Sequence, residues 1–343
     1  MALAQATCQD GFAQRQNGFA PGGGRIRFVA AYWKGMSLQP TRRAFITGAF
    51  SGLAASTFAQ EAEPVLDIHQ HTHYHDREDA HMVAHQQAMG VTKTILLPAG
   101  TPTDSASTHK GKSNGLATRC GGTETCMKIA QANPGSYLWG ANEVTDLDSA
   151  PAEIEKWLKL GACIIGEQKF DVECDSVHSQ KLYELAAAYN VPILLHFQFQ
   201  TYNRGYDRLH TMLAKYPKTN FIGHAQAFWG NIDKLHDQKV NYPKGKVTPG
   251  GITDRYLSDY PNMYADMSAG SGLLALTRDE EHTTGFFGRH QDKILYGSDC
   301  ADHLGRGPGC QGAQTIAMIR KLSPTKAVER KILWENSKRL FRL

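Results

Sequence analysis

The sequence predicts an α/β protein: a closed (β/α)8 TIM barrel that forms a single domain behind an unstructured N-terminal leader. Two observations lead to this fold class. After Pro64, eight short apolar segments alternate with longer segments of helical periodicity. The apolar segments are nearly continuous instead of alternating with polar residues, which is typical of parallel strands buried on both faces. Eight strand–helix units fit the roughly 250 residues that one barrel occupies.

Each predicted strand is rich in Val, Ile, Leu and aromatic residues. The strands are predicted at residues 65–69, 93–99, 137–144, 162–170, 191–197, 219–225, 262–268 and 293–299. Helices are predicted at residues 77–90, 150–160, 176–190, 205–216, 311–322 and 324–339. Ser176 is a suitable N-cap and Asn190 a suitable end for the helix between them. Two long connections, 100–122 and 226–261, follow strands, where barrel loops line the active site, so they are candidate substrate loops.

The charge distribution argues against a nucleic-acid partner. The whole chain has 37 Lys and Arg against 33 Asp and Glu, a formal net charge of +4. Six of those bases and one of those acids lie in residues 1–59, so the remainder has 31 bases and 32 acids. Because the body of the protein is near neutral and has no basic block, we expect neither a nucleic-acid nor an anionic-membrane partner. The partner that we predict is a small-molecule substrate. A homodimer is compatible with the sequence.

Residues 41–59, TRRAFITGAFSGLAASTFA, have the pattern of a twin-arginine export signal. Arg42 and Arg43 precede a Gly- and Ala-rich apolar run that is shorter than the ~20 residues needed to span a bilayer. We therefore predict a leader over residues 1–59 and a mature barrel over residues 60–343, located in the periplasm or secreted, with no membrane attachment after signal removal. Met36 is a candidate true start.

The cysteines of the mature chain leave two possibilities open. There are six, an even number that permits disulfides in an oxidising compartment. Cys120 with Cys126 and Cys300 with Cys310 are candidate pairs, and isolated thiols are the alternative. The sequence has no CxxC motif, so a zinc site made of cysteines alone is not predicted.

Metal-ligand residue types occur at the ends of four predicted strands. The first strand ends in His69-Gln70-His71, and two histidines at positions i and i+2 project to the same side of a strand. His196, His224 and Asp299 end the fifth, sixth and eighth strands. Because the carboxyl ends of barrel strands share one rim, these side chains can meet there. Nitrogen donors with one carboxylate suit Zn²⁺ with an open position for water.

These residues also carry a family resemblance. The segments DIHQH, GACIIGEQKF, VPILLHF, FIGHA, YPNMYADMS, ILYGSDC and ILWENSKRLFRL, in that order, resemble the amidohydrolase-related family of the metal-dependent hydrolase superfamily. The resemblance covers residues 64–343. It implies that the metal ligands are His69, His71, His196 and Asp299. It also implies that His224 is a catalytic group beside the metal, and that Asn336 has a structural role in the last helix.

The fourth strand leaves the number of ions open. In one branch of the family a modified lysine on this strand bridges two ions, and Lys169 lies near that place. Glu167 and Lys169 are two residues apart, so either one could bind metal, bind substrate or pair with the other. We predict a single zinc ion and a substrate-binding role for Lys169.

The resemblance implies a hydrolase in which a zinc-activated water cleaves a lactone, ester or amide bond. Asp299 would act as ligand and base, and His224 would stabilise negative charge on the substrate. Tyr202, Arg204 and Trp229 are candidate substrate-binding residues near the ends of the fifth and sixth strands. Two alternatives are a metal-dependent non-oxidative decarboxylase, which would use the same ligands, and a non-catalytic metal- or ligand-binding barrel.

Overall fold

The computed structural model describes residues 63–108 and 119–343 of the chain. The predicted leader, the twin-arginine pair and the candidate start at Met36 lie outside the described residues. The signal and the exported location therefore stay predictions. Residues 109–118 of the first long connection, 100–122, also lie outside the described residues.

Eight parallel strands follow one another in the part of the chain that the structure describes, as the sequence predicts. Their bounds are β1 Leu66–Gln70, β2 Lys93–Leu96, β3 Tyr137–Trp139, β4 Ile165–Gln168, β5 Ile193–His196, β6 Phe221–His224, β7 Met263–Asp266 and β8 Ile294–Leu295. Regular ladders join β1 to β3 and β4 to β8 in sequential order. Every neighbouring pair within these ladders is parallel.

Backbone hydrogen bonds close the two ladders into one barrel. Between β3 and β4, the Ala141 N–H donates to the Ile164 carbonyl at 2.8 Å and the Cys163 N–H donates to the Trp139 carbonyl at 2.9 Å. Between β8 and β1, the Ile68 N–H donates to the Tyr296 carbonyl at 3.1 Å. Because both seams are bonded, no strand among the described residues presents an open edge, and the predicted (β/α)8 barrel is confirmed.

The helices run between the strands and cover the barrel. They are α1 Asp79–Ala88, α2 Thr123–Ala132, α3 Ala150–Lys159, α4 Val177–Tyr189, α5 Leu209–Lys215, α6 Ala225–Gly230, α7 Ile252–Asp259, α8 Ala269–Thr277, α9 Glu280–His290, α10 Gln311–Leu322, α11 Lys326–Arg330 and α12 Asn336–Phe341. The Ser176 hydroxyl accepts the Ser179 N–H at 3.1 Å, and Asn190 ends α4 with φ of +54°, so both predicted helix-end signals are confirmed.

The core has two layers because neighbouring strand residues face opposite sides. Leu194 packs inside the barrel, whereas Ile193 and Leu195 pack against the surrounding helices. The interior layer is apolar, and Leu340 and Phe341 of α12 pack against it. The Asn336 side chain holds α12 in place by donating to the Gln291 and Ile294 carbonyls at 2.7 and 2.9 Å.

Several sequence expectations need correction. The connection 226–261 is not a plain loop, since it contains most of α6 and all of α7. The prediction also missed α2, α8 and α9. None of the six cysteines in the described residues is in a disulfide, so neither candidate pair is bonded. No helix in the described part of the chain is long and apolar enough to cross a membrane.

Candidate metal centre

Two histidines at the end of β1 have their Nε2 atoms close together. The His69 Nδ1 lies 2.7 Å from an Asp266 carboxylate oxygen, and the His71 Nδ1 lies 2.8 Å from the Leu97 carbonyl oxygen. Both partners are acceptors, so in the neutral imidazoles each Nδ1 carries the proton and each Nε2 carries a lone pair. These two Nε2 atoms are 3.1 Å apart. Two acceptors at this distance repel each other unless a cation or a proton lies between them.

Three further acceptors complete what we call the acceptor cluster: His69, His71, Glu167, His224 and Asp299. Glu167 Oε2 lies 3.4 Å, and Asp299 Oδ1 3.5 Å, from His71 Nε2. His224 Nε2 lies 3.8 Å from Asp299 Oδ2. Asp299 Oδ1 is buried and finds no hydrogen-bond donor among the described residues. The cluster therefore concentrates lone pairs and negative charge without matching donors, as a cation-binding site does.

The pKa values report the same shortage of positive charge. Burial lowers the pKa of His69, but the Asp299 and Asp266 carboxylates outweigh it and raise that pKa well above its usual value. Burial raises the pKa of Asp299, but His69 and His71 outweigh it and lower that pKa. Asp299 is thus an ionised carboxylate in a buried site, and a divalent cation would supply the charge that balances it.

Glu167 faces two different groups of histidines. Its Oε2 atom lies 3.5 Å from His69 Nε2 and 3.4 Å from His71 Nε2. Its Oε1 atom lies 2.5 Å from His196 Nδ1 and 3.7 Å from His224 Nε2. The geometry therefore offers a first position among His69, His71 and Asp299, and a second position beside His196 and His224, with Glu167 between them.

Local backbone geometry positions Glu167. Gly166 precedes it with φ of +131°, a conformation that favours glycine. A Cβ atom at Gly166 would lie 2.8 Å from the Leu194 carbonyl oxygen on β5. Only glycine therefore lets β4 approach β5 closely enough to place the Glu167 carboxylate beside His196.

Asp266 and Ser268, at the end of β7, orient two histidines through contacts with their Nδ1 atoms. The Ser268 hydroxyl donates to Asp266 Oδ2 at 2.7 Å, and the same oxygen lies 2.7 Å from His69 Nδ1 and 3.2 Å from His224 Nδ1. Asp266 is fully buried. Burial raises the pKa of Asp266, but His69 and His224 outweigh it and hold that pKa far below its usual value. Asp266 therefore fixes both Nδ1 protons and turns both Nε2 lone pairs toward the acceptor cluster.

Tyr74 covers Asp299 from the turn that follows β1. Its ring centroid is 4.9 Å from that of His71. Burial, together with the charge and hydrogen bond of Asp299, raises the pKa of Tyr74 well above its usual value, so the phenol is a neutral donor. The neighbouring His73 and His75 have φ of +54° and +50°, which is uncommon for residues other than glycine. Strained backbone of this kind often occurs at functional sites.

The predicted substrate-binding residues differ in their placement. The Lys169 ammonium lies 5.5 Å from the centre of the Tyr202 ring, and that ring packs 5.4 Å from the His196 ring. Burial and the Lys169 charge together lower the pKa of His196 to about 4. These two predicted residues therefore do lie beside His196.

Arg204 and Trp229 have other contacts. Arg204 forms ion pairs with Asp171 at 2.7 Å and Glu173 at 3.1 Å, which balance its charge. Trp229 is buried, and its indole N–H donates to the Asp266 carbonyl at 2.9 Å. The structure thus gives Trp229 a packing role behind β7. The substrate contacts of both residues stay predictions.

A cavity of about 450 Å³ adjoins the ends of β5 and β6. Its walls come mainly from the segment that directly follows His196, including Phe197, Gln198 and Arg204, and from Ala227 after β6. No member of the acceptor cluster lines this cavity. The cavity therefore begins directly after the His196 strand end and is not part of the acceptor cluster.

The fold and the strand-end histidines and carboxylates define a β/α barrel with a candidate metal centre at its rim. The chain belongs to the amidohydrolase family, whose sequence model matches residues 66–343. The predicted family is therefore confirmed over nearly the whole described chain. No curated protein matches the chain in sequence.

Solved structures share the fold at low sequence identity. An uncharacterised TIM-barrel protein from Bordetella bronchiseptica has a TM-score of 0.56 at 13% identity, over 81% of this chain and 98% of that one. A 2,6-dihydroxybenzoate decarboxylase in complex with 2,6-dihydroxybenzoate has a TM-score of 0.51 at 14% identity, over 82% and 100%. A probable 2-pyrone-4,6-dicarboxylic acid hydrolase from Acinetobacter baumannii has a TM-score of 0.51 at 13% identity, over 81% and 99%.

Proposed function

We propose that the protein is a metal-dependent hydrolase that cleaves a C–O or C–N bond of a small organic substrate. The observation that carries this proposal is the acceptor cluster, in which two histidine nitrogens and two carboxylates converge and Asp299 Oδ1 has no donor among the described residues. The residues fit Zn²⁺, which prefers imidazole nitrogen and carboxylate oxygen as ligands. His69, His71, Asp299 and Glu167 would hold it at the first position.

A bound Zn²⁺ would supply Lewis acidity and lower the pKa of a coordinated water. The chain supplies proton transfer. Asp299 is an ionised carboxylate with a free oxygen, so it can accept a proton. His224 Nε2, 3.8 Å from Asp299 Oδ2, can receive that proton and pass it to the leaving group. Asp266, 3.2 Å from His224 Nδ1, stabilises the imidazolium that forms.

The metal content of the protein decides the number of ions. We propose one Zn²⁺ at the first position, with His196 orienting Glu167 through the contact between Nδ1 and Oε1. In protein carrying Cys310→Ser, which removes a separate sulfur cluster described below, a metal content of about one per chain that survives His196→Ala supports this arrangement. A content of two that falls to one in the same variant would make His196 a ligand of a second ion.

The reaction class is tested with water labelled with heavy oxygen. Zinc-loaded protein is assayed on lactones, esters, amides and carboxylated aromatic compounds, because hydrolases and decarboxylases share this fold. A hydrolase transfers the label from water to its product, whereas release of carbon dioxide without labelling would establish a decarboxylase. His224→Ala should keep its zinc and lose about 10²–10⁴ in turnover, the usual contribution of a general acid–base residue. Full turnover in that variant would refute the proton path.

A further inference from the structure

A second cluster of metal-ligand side chains lies outside the acceptor cluster. His85 on α1, Cys300 directly after Asp299, and Cys310 at the start of α10 bring their donor atoms within 4.8 Å of one another. All three side chains are buried. None of them has a role in the chemistry proposed above.

The distances in this cluster match those of tetrahedral zinc. With Zn–S bonds of about 2.3 Å and Zn–N bonds of about 2.05 Å, a tetrahedral angle places two sulfurs about 3.8 Å apart and sulfur about 3.6 Å from nitrogen. Cys300 Sγ and Cys310 Sγ are 3.8 Å apart. Cys310 Sγ is 3.4 Å from His85 Nε2. Two of the three donor pairs thus have about the spacing that one ion requires, and the third donor pair lies within 4.8 Å.

A hydrogen-bond chain prepares His85 as a ligand. The Gln86 amide N–H groups donate to Asp67 at 2.7 Å and to Thr94 at 2.8 Å, which fixes the amide orientation. Gln86 Oε1 is then an acceptor, 3.1 Å from His85 Nδ1. The proton of His85 therefore resides on Nδ1, and the Nε2 lone pair points at the two sulfurs. Metal-binding histidines are usually oriented in this way.

The surroundings of the cysteines favour a soft cation. The Ala313 N–H at the start of α10 donates to Cys310 Sγ at 3.3 Å, which stabilises a thiolate. The Met89 thioether sulfur lies 3.6 Å from Cys310 Sγ, and Asp302 Oδ2 lies 4.0 Å from His85 Nε2. Thiolates with imidazole and a nearby thioether select zinc or another thiophilic ion over magnesium or calcium.

We propose that His85, Cys300 and Cys310 form a second, sulfur-containing zinc site with a structural role. Such a site ties both ends of the segment 300–310 to α1. The same segment begins directly after Asp299, and Gln311 on α10 donates to the Asp299 carbonyl at 2.5 Å. The ion would therefore fix the backbone that presents Asp299 without touching the substrate.

Cobalt spectroscopy separates this site from the acceptor cluster. Co²⁺ bound by thiolates has an intense sulfur-to-cobalt absorption in the near ultraviolet, and Co²⁺ bound only by nitrogen and oxygen lacks it. Full-length protein, reduced and stripped of metal, is titrated with Co²⁺. We expect the absorption in the wild type and in the double variant His69→Ala/His71→Ala, and its disappearance when Zn²⁺ is added.

Variants of the cysteines complete the test. Cys310→Ser and Cys300→Ser should lose the absorption, whereas Cys163→Ser, outside the cluster, should keep it. Serine is a favoured N-cap residue, so Cys310→Ser preserves the start of α10, and circular dichroism checks folding. Zn²⁺ should also raise the melting temperature of His69→Ala/His71→Ala and leave that of the same variant with Cys310→Ser unchanged.

Two results would overturn the proposal. One is the absence of sulfur-to-cobalt absorption in reduced, folded wild-type protein. The other is a Cys300–Cys310 disulfide in protein isolated without reductant, recognised as a peptide pair that is lighter by two hydrogens. Neither result bears on the acceptor cluster, whose ligands contain no sulfur.

Discussion

Asp266 offers a sharp test of how the barrel orients its histidines. Its Oδ2 atom lies 2.7 Å from His69 Nδ1, accepts from Ser268 at 2.7 Å and lies 3.2 Å from His224 Nδ1. In Asp266→Asn one carboxylate oxygen becomes an NH₂ group, a donor that cannot accept these protons. If the NH₂ takes the Oδ2 place, His69 loses the partner that keeps its Nε2 lone pair on the metal side.

The expected loss in zinc affinity is 10- to 100-fold, which is the usual effect of removing such a supporting partner. This corresponds to about 1.4–2.7 kcal/mol. The assay is a competition titration of metal-free protein against a chelator of known affinity, in the Cys310→Ser background, so that the sulfur cluster does not contribute. Asp266→Asn should also reduce turnover, because His224 loses the partner that stabilises its imidazolium.

Asp254→Asn is the matched control. Asp254 also pairs with a buried histidine, His290, at 2.5 Å, but this pair joins α7 to α9 away from the metal centre. Asp254→Asn should lower the melting temperature and leave zinc affinity unchanged. Zinc affinity in Asp266→Asn equal to that of the wild type, in folded protein, would refute the orienting role of Asp266.

Three further predictions follow from the geometry. Gly166→Ala should cost about 1–3 kcal/mol of unfolding free energy beyond the cost of Gly90→Ala in chemical denaturation, because a Cβ meets the Leu194 carbonyl only at the first site; equal losses would contradict the close approach of β4 and β5. Arg204→Gln should change stability by no more than about 1 kcal/mol, since its ion pairs are partly exposed. It should leave KM unchanged if Arg204 only pairs with its acids, and a large rise in KM would instead identify it as a substrate clamp. Removing zinc with a chelator should lower the melting temperature in Cys310→Ser, and zinc at about 100 times its dissociation constant should restore about 2.7 kcal/mol; no shift would mean that the acceptor cluster does not bind zinc.

The barrel could be predicted from the sequence because the residue patterns that mark its strands and helix ends are local. Buried parallel strands are continuous apolar runs, and the Ser176 and Asn190 helix ends lie beside the residues they terminate. The helices α8 and α9 could not be predicted, because they lack such a local pattern. Glycines at 270, 272, 285 and 288 interrupt their apolar patterns, and tertiary packing outweighs this low helix propensity.

Only some residues of the candidate metal centre could be predicted from the sequence. His69, His71, His224 and Asp299 each end an apolar strand, and the structure brings them together. The sequence does not decide between three roles for Glu167, because the Gly166 backbone breaks the simple alternation along β4.

Asp266 and Tyr74 were not predicted at all. Asp266 interrupts the apolar run of β7 much as Asp299 follows that of β8, so a signal for it was present. Tyr74 depends on a turn with unusual φ angles, which no spacing rule reveals. The carboxylates that balance Arg204 are likewise a product of tertiary structure.

The metal content of the purified full chain tests the central claim most directly. It is measured in the Cys310→Ser background, on protein never exposed to chelator, beside the same protein carrying His69→Ala/His71→Ala. The proposed centre predicts about one zinc per chain in the first protein and none at the first position in the second. Folded Cys310→Ser protein that contains no metal and takes up none from added Zn²⁺ would contradict the account and leave only the barrel.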